Sequence, residues 1–435
     1  MNQITASIIT IGDELLIGQT IDTNSAFIGQ ELNKMGVWVK RRVAVGDLWD
    51  DIWQALDEES QHSDIIIITG GLGPTADDIT KPLLCKYFGG KLVVNEDVLN
   101  HVKYLFEKVY RRPGPILERN LKQAEVPDVC TVLHNARGSA PGMWFEKQIV
   151  THAKDNIAGT MPNRIFVSLP GVPHEMKGLV EKEVIPRLKA HFETLPVILH
   201  KTMLTAGTGE SMLAEHIREW EERLPTFLKL AYLPHYGMVR LRITGTGDER
   251  QALETELSEQ FSKLKVLVRE WLVVDDDLSL QEAIAALLRE RNKTVATTES
   301  CTGGFIAHLL SRDAGSSRTF KGSIVSYDNQ VKTDLLGVSE EVLKEHGAVS
   351  EQTVRQMVVG GLQKLKTDFV IATSGIMGPD GGTEQKPVGM VWIAVGNAEK
   401  IKSHVFNFRF ERNRNIEQTA IAALDMLRKF IVTNS

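Results

Sequence analysis

The feature that most constrains the fold is an apolar stretch that runs straight into a glycine-rich turn. Residues Asp64 to Thr69 read Asp-Ile-Ile-Ile-Ile-Thr, and Gly70, Gly71 and Gly73 follow immediately. A strand without polar alternation is typical of a parallel sheet that helices cover on both faces. In open α/β sheets, ligands bind where such strands end. The stretch therefore predicts an α/β fold with a binding site at the carboxyl edge of its sheet.

The rest of the chain divides into three regions by its pattern. Residues 1–185 alternate β-branched strands with amphipathic helices, which predicts a doubly wound α/β domain. Residues 186–265 lack long apolar strands and predict a small α+β module. Strand–helix alternation returns after the acidic run Asp275–Asp277, so residues 275–435 predict a second α/β domain. The length of 435 residues fits three domains of roughly 150 residues each.

Composition and charge exclude several classes of protein. Fifty Lys and Arg residues stand against 56 Asp and Glu residues, and the formal net charge of -6 argues against a nucleic-acid binder. No apolar run approaches the ~20 residues of a membrane helix, and the N-terminus shows no secretory signal. Three widely spaced cysteines predict neither a disulfide framework nor a metal site. We therefore expect a reduced, cytoplasmic enzyme without a membrane partner.

The glycine turn carries the first candidate site, a loop that binds phosphate and a metal. Glycines bring backbone N–H groups close to a ligand, and the start of the following helix favours an anion. Asp77 and Asp78 follow the turn, and carboxylates suit a divalent cation that bridges to phosphate. A second acidic turn, Gly12-Asp13-Glu14, favours this interpretation over a tight turn with a helix-capping Asp. His174 and Glu175, at a later helix start, are weaker candidates for the same site.

The second candidate site is a strand-to-helix elbow at Ser300. The segment Thr297–Phe305 predicts a strand that turns into a helix, and Gly303 and Gly304 leave room for a substrate there. The free N–H groups of the helix start suit a developing oxyanion. Glu299 is expected either to orient the turn or to complement the helix dipole. The plain alternative is that Ser300 is a helix N-cap.

A serine nucleophile needs a base, and no Ser-His-Asp spacing is evident. Lys332 lies at a predicted helix start after a strand, and it can act as a base if burial lowers its pKa. From spacing alone, a solvated surface lysine is the favoured interpretation of Lys332. Cys301 is a rival nucleophile, although a small buried residue is the commoner role for such a cysteine. The residues by themselves leave nucleophile and base open.

A third glycine turn follows the predicted strand at Asp368–Thr373. Its open backbone can hold the phosphate or the ribose of a nucleotide. A mobile surface loop is an equal alternative. The residues of the turn that matter here are Gly378, Asp380, Gly381, Gly382 and Thr383.

Several motifs in the same order make the chain similar to the full-length CinA family, the competence/damage-inducible protein A family. The resemblance extends over essentially the whole chain. The matching segments are Gly12–Leu16, Asp22–Asn24, Thr69–Thr75 with Asp77 and Asp78, Leu169–Met176, Glu299–Gly304, Tyr327 with Asn329 and Lys332, and Gly375 with Gly378–Gly382.

The resemblance implies a molybdopterin-binding-like domain over residues 1–185, a KH-like α+β module over 186–265 and an amidase domain over 275–435. In this family the first domain is associated with metal-dependent ADP-ribose pyrophosphatase activity. The last converts nicotinamide mononucleotide to nicotinic acid mononucleotide and ammonia. We therefore expect a bifunctional pyridine-nucleotide salvage enzyme that forms a homodimer. The KH-like module lacks a Gly-x-x-Gly loop, so nucleic-acid binding is not expected there.

The resemblance also implies roles for individual residues. A Ser–Lys dyad without a metal falls on Ser300 and Lys332. Oxyanion or substrate contacts fall on Cys301, Thr302, Gly303, Gly304, Tyr327, Asn329, Gly378, Asp380, Gly381, Gly382 and Thr383. ADP-ribose contacts fall on Gly12, Glu14, Asn24, Thr69, Gly70, Gly71, Gly73 and Thr75. Asp77 and Asp78 would hold a divalent metal ion, namely Mg²⁺, Mn²⁺ or Co²⁺. A competing hypothesis makes the N-terminal domain a non-catalytic module that binds molybdopterin or a nucleotide.

Overall fold

The structure is a computed structural model that describes residues 4–75, 78–111, 113–148, 163–192, 194–235 and 237–433. The chain forms two compact units, one of residues 1–199 with 246–253 and one of residues 200–245 with 254–435. No helix among these described residues is long and apolar enough to cross a membrane.

The first unit is built on a mixed six-stranded sheet. Its strands are β1 (Thr5–Ile11), β2 (Trp38–Val45), β3 (Ile65–Thr69), β6 (Thr131–Leu133), β7 (Gly142–Gln148) and β8 (Asn163–Leu169), and a separate pair is formed by β4 (Leu92–Val94) and β5 (Glu125–Pro127). The sheet order is β2-β1-β3-β8-β7-β6. The first four strands are parallel, whereas β7 and β6 join antiparallel. The predicted doubly wound layer therefore has an antiparallel edge.

Helices cover both faces of this sheet. They are α1 (Asp13–Leu16), α2 (Thr23–Lys34), α3 (Trp49–His62), α4 (Thr80–Tyr87), α5 (Glu96–Tyr104), α6 (Glu118–Leu121), α7 (Pro173–Leu179) and α8 (Ile185–His191). Ile65 and Ile67 pack in one core with α2 and α7, while Ile66 and Ile68 pack in another with α3 and α4. Successive side chains of a strand point to opposite faces, so only an apolar strand can fill both cores. The α/β fold with helices on both faces, which the isoleucine run predicts, is confirmed.

The second unit begins with a four-stranded sheet. Its strands are β9 (Val197–Ala206), β10 (Leu228–His235), β11 (Met238–Gly247) and β12 (Leu272–Val274), and its helices are α9 (Glu210–Glu221) and α10 (Arg250–Leu267). The sheet order is β10-β11-β9-β12. Strands β10 and β11 form an antiparallel hairpin. This is the small α+β module that the sequence predicts.

A five-stranded sheet completes the second unit. Its strands are β13 (Val295–Glu299), β14 (Phe320–Val325), β15 (Phe369–Gly375), β16 (Met390–Gly396) and β17 (Ile401–Asn407). Its helices are α11 (Leu280–Glu290), α12 (Phe305–Ser311), α13 (Asn329–Leu336), α14 (Glu340–Glu345), α15 (Glu351–Leu365) and α16 (Arg412–Thr433). The order is β14-β13-β15-β16-β17, with β14, β13 and β15 parallel. The carboxyl ends of these three strands therefore meet at one edge.

Candidate functional site

Ser300 directly follows β13 at this common edge. Glu299, the last residue of β13, pairs with Val325 on one side and Thr373 on the other. The Ser300 N–H donates to the carbonyl of Thr373 at 3.0 Å, and the Ser326 N–H donates to the carbonyl of Glu299 at 2.7 Å. Ser300 and Ser326 consequently leave neighbouring strands side by side.

A buried carboxylate holds the turn that carries Ser300. Glu299 accepts hydrogen bonds from the N–H groups of Gly304 at 3.0 Å, Ile306 at 3.1 Å and Ala307 at 2.8 Å. These are the donors that a helix start leaves without partners inside the helix. The hydrogen bonds of Glu299 therefore orient the turn, which is one of the two roles expected for this residue.

Lys332 is buried at the end of β14, the strand that pairs with β13. Its side chain is 1% exposed, and its Nζ donates to the carbonyl of Ser326 at 2.8 Å and to that of Tyr327 at 3.2 Å. The interpretation of Lys332 as a solvated surface lysine is wrong, because helix α13 turns its aliphatic stem into the protein. Burial lowers the pKa of Lys332, and this effect outweighs the nearby carboxylate of Asp328, which acts in the opposite direction.

Ser300 itself is 8% exposed. Within the described part of the chain its hydroxyl makes no hydrogen bond, so Ser300 and Lys332 are not hydrogen-bonded to each other in this structure. A neutral lysine amine has two N–H donors and one lone pair. Two carbonyls match the two donors, which leaves the lone pair of Lys332 for a proton from elsewhere. The arrangement suits a base.

Cys301 faces the hydrophobic core behind this edge. Its side chain is buried, and burial raises the pKa of the thiol to about 12. A thiolate is the nucleophilic form of cysteine, so this environment disfavours Cys301 as a nucleophile. The next residue, Thr302, shares a hydrogen bond of 2.8 Å with the hydroxyl of Thr373.

The expected oxyanion donors at the two glycines are already in use. The Gly303 N–H donates to the carbonyl of Ser300 at 3.1 Å, and the Gly304 N–H donates to Glu299. A backbone N–H that caps the turn is unavailable to a substrate, so this part of the expectation is corrected. Among the described residues, the N–H of Thr302 has no acceptor and the N–H of Cys301 has none outside its own side chain. These are the two N–H groups of the turn that no other residue uses.

The remaining expected substrate residues lie on the segments that follow the ends of β14 and β15. Tyr327 is 62% exposed, and Asn329 is an exposed residue at the start of α13. Gly378 is buried at the base of the third glycine turn, with its φ at 85°. The exposed part of that turn comprises Asp380, Gly381, Gly382 and Thr383. Thr383 closes the turn, since its N–H donates to the carbonyl of Lys386 at 2.9 Å.

Arg412, at the start of α16, contacts both of these segments, and the sequence reasoning missed it. Its Nη1 donates to the carbonyl of Gly378 at 2.9 Å, and its Nη2 donates to the hydroxyl of Tyr327 at 3.0 Å. The signal available in the sequence was a basic segment, in which Arg409, Arg412 and Arg414 accompany a single acidic residue.

The N-terminal candidate site lies where β3 ends. Asn24 on α2 reaches this point, and its Nδ2 donates to the carbonyl of Gly171 at 2.7 Å and to Thr69 Oγ1 at 3.3 Å. The Oδ1 of Asn24 is buried without a partner in the described residues. At Gly70, with φ at 117°, a Cβ would lie 2.2 Å from the carbonyl oxygen of Ile11. The strand end therefore requires glycine.

Asp78 closes the glycine loop upon itself. Its carboxylate accepts hydrogen bonds from the Gly73 N–H at 2.7 Å and the Thr75 N–H at 2.9 Å, and also from the Thr75 hydroxyl. Asp77 lies outside the described residues. No group of three or more His, Cys, Asp or Glu side chains in the described ranges could hold a metal ion. The described residues alone do not fit a metal cage made by the protein.

The other acidic candidates have contacts of their own. The Glu14 carboxylate folds over Gly12, where a Cβ would meet its Oε1 at 2.6 Å. Glu175 Oε2 accepts a hydrogen bond from Asn135 Nδ2 at 2.7 Å, and burial raises the pKa of Glu175. His174 is exposed.

Lys81 is a second residue that sequence reasoning missed. Lys81 lies on α4, the helix that follows the glycine loop. Its Nζ donates to the carbonyl oxygen of Gln123 at 2.8 Å and to the Oε1 of the same residue at 3.1 Å. Burial lowers the pKa of Lys81 to about 8. Nothing in the sequence marks this lysine as buried.

Comparison with known domain families defines the class of this protein. Residues 7–190 match the model described as "Probable molybdopterin binding domain", residues 200–272 match "Damage-inducible protein CinA KH domain", and residues 277–431 match "CinA C-terminal domain". The fold is thus a molybdopterin-binding-like domain, a KH-like module and a C-terminal CinA domain.

Relatives along the whole length identify the family. A CinA-like protein of Flavobacterium psychrophilum is 45% identical over 99% of both chains. A CinA-like protein of Cytophaga hutchinsonii is 45% identical over 98% of this chain and 97% of its own. The crystal structure of the competence/damage inducible protein CihA from Agrobacterium tumefaciens is 39% identical, covering 34% of this chain and 91% of that chain with a TM-score of 0.34. The chain belongs to the CinA-like protein family.

Proposed function

We propose that the C-terminal domain hydrolyses the carboxamide of nicotinamide mononucleotide and releases nicotinic acid mononucleotide and ammonia. The observation that carries the proposal is the buried amine of Lys332, held on the carbonyls of Ser326 and Tyr327 at the end of the strand that pairs with β13. An amine whose pKa is lowered by burial is available as a base at a lower pH than an ordinary lysine amine.

In the proposed reaction, Ser300 Oγ forms a bond to the carboxamide carbon while Lys332 takes its proton. The N–H groups of Cys301 and Thr302 stabilise the oxyanion of the tetrahedral intermediate. The C–N bond then breaks, and Lys332 returns the proton so that ammonia leaves. Water attacks the resulting ester, which releases the acid and restores Ser300.

Ammonia release from nicotinamide mononucleotide tests this proposal in four full-length proteins. We expect wild type and Cys301→Ala to be active, and Ser300→Ala and Lys332→Met to lose activity by about a thousandfold or more. Cys301→Ala is the matched control, because it truncates the adjacent residue of the same turn. An inactive Cys301→Ala together with an active Ser300→Ala would overturn the assignment of the nucleophile.

We propose a second activity for the N-terminal domain, hydrolysis of ADP-ribose to AMP and ribose 5-phosphate. It is supported by the glycine loop at the end of β3 and by Asn24, whose unpartnered Oδ1 lies at that end. In this proposal, the backbone of Thr69–Thr75 binds the pyrophosphate, with Gly12 and Glu14 at its side. A divalent ion would supply charge neutralisation when bound. Asp78 is engaged in its loop, so such an ion would depend on Asp77 and the phosphates for its ligands.

Product identification separates this activity from the alternative of a non-catalytic binding module. We expect wild type and Ser300→Ala to release AMP from ADP-ribose equally, and a chelator to stop the release in both. Tight molybdopterin binding in calorimetry without any AMP release would favour the binding module instead. Loss of AMP release in Ser300→Ala would contradict the independence of the two sites.

A further inference from the structure

We infer that a cavity in the second unit binds a small organic cation with an apolar body. The cavity lies where strands β10 and β11 face helices α11, α12 and α16, and its volume is about 690 Å³. Cavities of this size are typical of small-molecule sites. Among the described residues that line it, none has a role in the amidase reaction proposed above. The inference therefore goes beyond that function and does not depend on it.

The walls of the cavity are largely apolar and belong to the folded core. The apolar side chains that matter here come from β10, β11, α12 and α16, namely Leu233, Met238, Phe305, Leu309 and Ile421. Met238 is part of the hydrophobic core of this unit, and the residues from α12 and α16 pack against that core. Since these elements are already packed together, the cavity exists before a ligand binds. Such walls favour a ligand that removes apolar surface from water.

The carboxylate of Glu417 decides the charge of the ligand. Glu417 lines the cavity from α16, one helical turn before Ile421. The residue is partly buried, and in the described part of the chain its side chain forms neither an ion pair nor a hydrogen bond. A carboxylate that has lost part of its water is stabilised by an opposite charge at short range. The cavity therefore combines apolar walls with a negative charge that lacks a protein partner.

Two arginines also line the cavity, but each already has a carboxylate partner. Arg240 donates to Asp277 at 3.2 Å, and Arg312 donates to Asp313 at 3.3 Å. Their side chains are 36% and 48% exposed, so water also solvates them. Neither arginine brings an unpaired positive charge into the cavity, which disfavours an anionic ligand.

The competing explanation is that water fills the cavity and hydrates Glu417. In that case an apolar probe either does not bind or binds without regard to its charge. A comparison of probes that differ only in charge separates the two explanations.

The first experiment measures calorimetric binding of three probes to the full-length protein. They share a diphenylmethyl body: diphenylmethylamine in its protonated form is a cation, diphenylmethanol is neutral and diphenylacetate is an anion. We expect the amine to bind about tenfold more tightly than the alcohol, and the acetate to bind most weakly. Equal binding of amine and alcohol, tightest binding of the acetate, or no binding of the amine would each overturn the inference.

The second experiment locates the site with variants. Glu417→Gln keeps the shape of the side chain and removes its charge, so we expect about tenfold weaker binding of the amine and unchanged binding of the alcohol. Leu309→Trp places a larger side chain in the cavity and should weaken binding of both probes. Urea denaturation shows whether each variant is folded.

Glu290→Gln is the matched control for Glu417→Gln. Glu290 is an exposed carboxylate on α11, the helix next to α16, and it does not line the cavity. We expect this variant to bind all three probes as wild type does. A preference for the amine that survives in Glu417→Gln, or that Glu290→Gln loses to the same extent, would overturn the inference.

Discussion

The Nζ of Lys332 lies 2.8 Å from the carbonyl oxygen of Ser326, the residue that follows β14, and β14 pairs with β13, the strand that Ser300 follows. The pairing register continues one residue beyond the sheet, where the Ser326 N–H donates to the carbonyl of Glu299. A buried amine is thus tied to the backbone next to the expected nucleophile. Two carbonyl acceptors satisfy its donors without a carboxylate at hydrogen-bonding distance, so burial can lower its pKa.

The first prediction concerns the pH dependence of the amidase. Burial lowers the pKa of Lys332, so its neutral form is reached below the ordinary lysine value of about 10.4. Because the base must be neutral to accept a proton, kcat/KM for ammonia release should rise with pH and level off before that value. Initial rates across the pH range test this expectation.

Lys332→Arg provides the control for that profile. An arginine keeps its charge at every accessible pH, so the rising limb should be absent and activity should be lost throughout. Circular dichroism of this variant reports whether it folds. A profile that rises in Lys332→Arg as it does in wild type would show that another group titrates.

The second prediction concerns the buried carboxylate of Glu299. Replacing it in Glu299→Gln exchanges one acceptor oxygen for an NH₂ group that faces the backbone donors of α12. We expect the free energy of unfolding to fall by about 2–3 kcal/mol, the usual value for hydrogen bonds to a charged group. Ammonia release should fall with it, because the Ser300 turn loses its anchor.

Glu340→Gln is the matched control for Glu299→Gln. Glu340 is an exposed carboxylate in the first turn of α14, so this change should leave the unfolding free energy within about 0.5 kcal/mol. Urea denaturation measures both variants. Equal stability of the two variants would mean that the buried hydrogen bonds of Glu299 are replaced in full.

The third prediction concerns Asp78 and the metal. Both of its oxygens accept hydrogen bonds from the glycine loop, and Asp78→Asn removes one of these acceptors. We expect KM for ADP-ribose to rise about tenfold, while the Mn²⁺ concentration at half-maximal AMP release stays unchanged. Ammonia release should not change. A higher Mn²⁺ requirement with an unchanged KM would identify Asp78 as a direct metal ligand.

The fourth prediction concerns the stability of the N-terminal unit. Burial lowers the pKa of Lys81 to about 8, whereas the unfolded chain has the ordinary value of about 10.4. Between these values the unfolded state binds more protons than the folded state, so this group makes stability rise with pH. Relative to Lys81→Met, wild type should gain up to about 3 kcal/mol from pH 8 to pH 10.4.

Urea unfolding of both proteins at several pH values measures this difference. The comparison with Lys81→Met cancels the titration of other groups, because those groups are the same in both chains. A difference that stays constant across the pH window would mean that Lys81 is solvated enough to keep its ordinary pKa.

The sequence by itself determined the secondary structure around both sites. The strand β3 and the elbow before α12 are each formed by residues close together in the chain. The periodicity of apolar residues and the positions of the glycines therefore predict both of them. The family motifs likewise lie in short segments, which is why the domain classes could be predicted. One local detail departs from the periodicity: Val98, Val102, Leu105 and Val109 recur at helical spacing, but the segment is α-helical only to Tyr104 and continues as a π-helical turn.

Only the tertiary structure decided the chemical state of the side chains. Lys332 looked like a surface lysine because its burial depends on strands and helices that pack around it from elsewhere in the chain. The use of the Gly304 N–H by Glu299, and the approach of Arg412 to Tyr327, depend on hydrogen bonds that no spacing rule encodes. A pKa, a free donor and an unpaired charge are properties of the surroundings, and the surroundings exist only once distant segments have packed together.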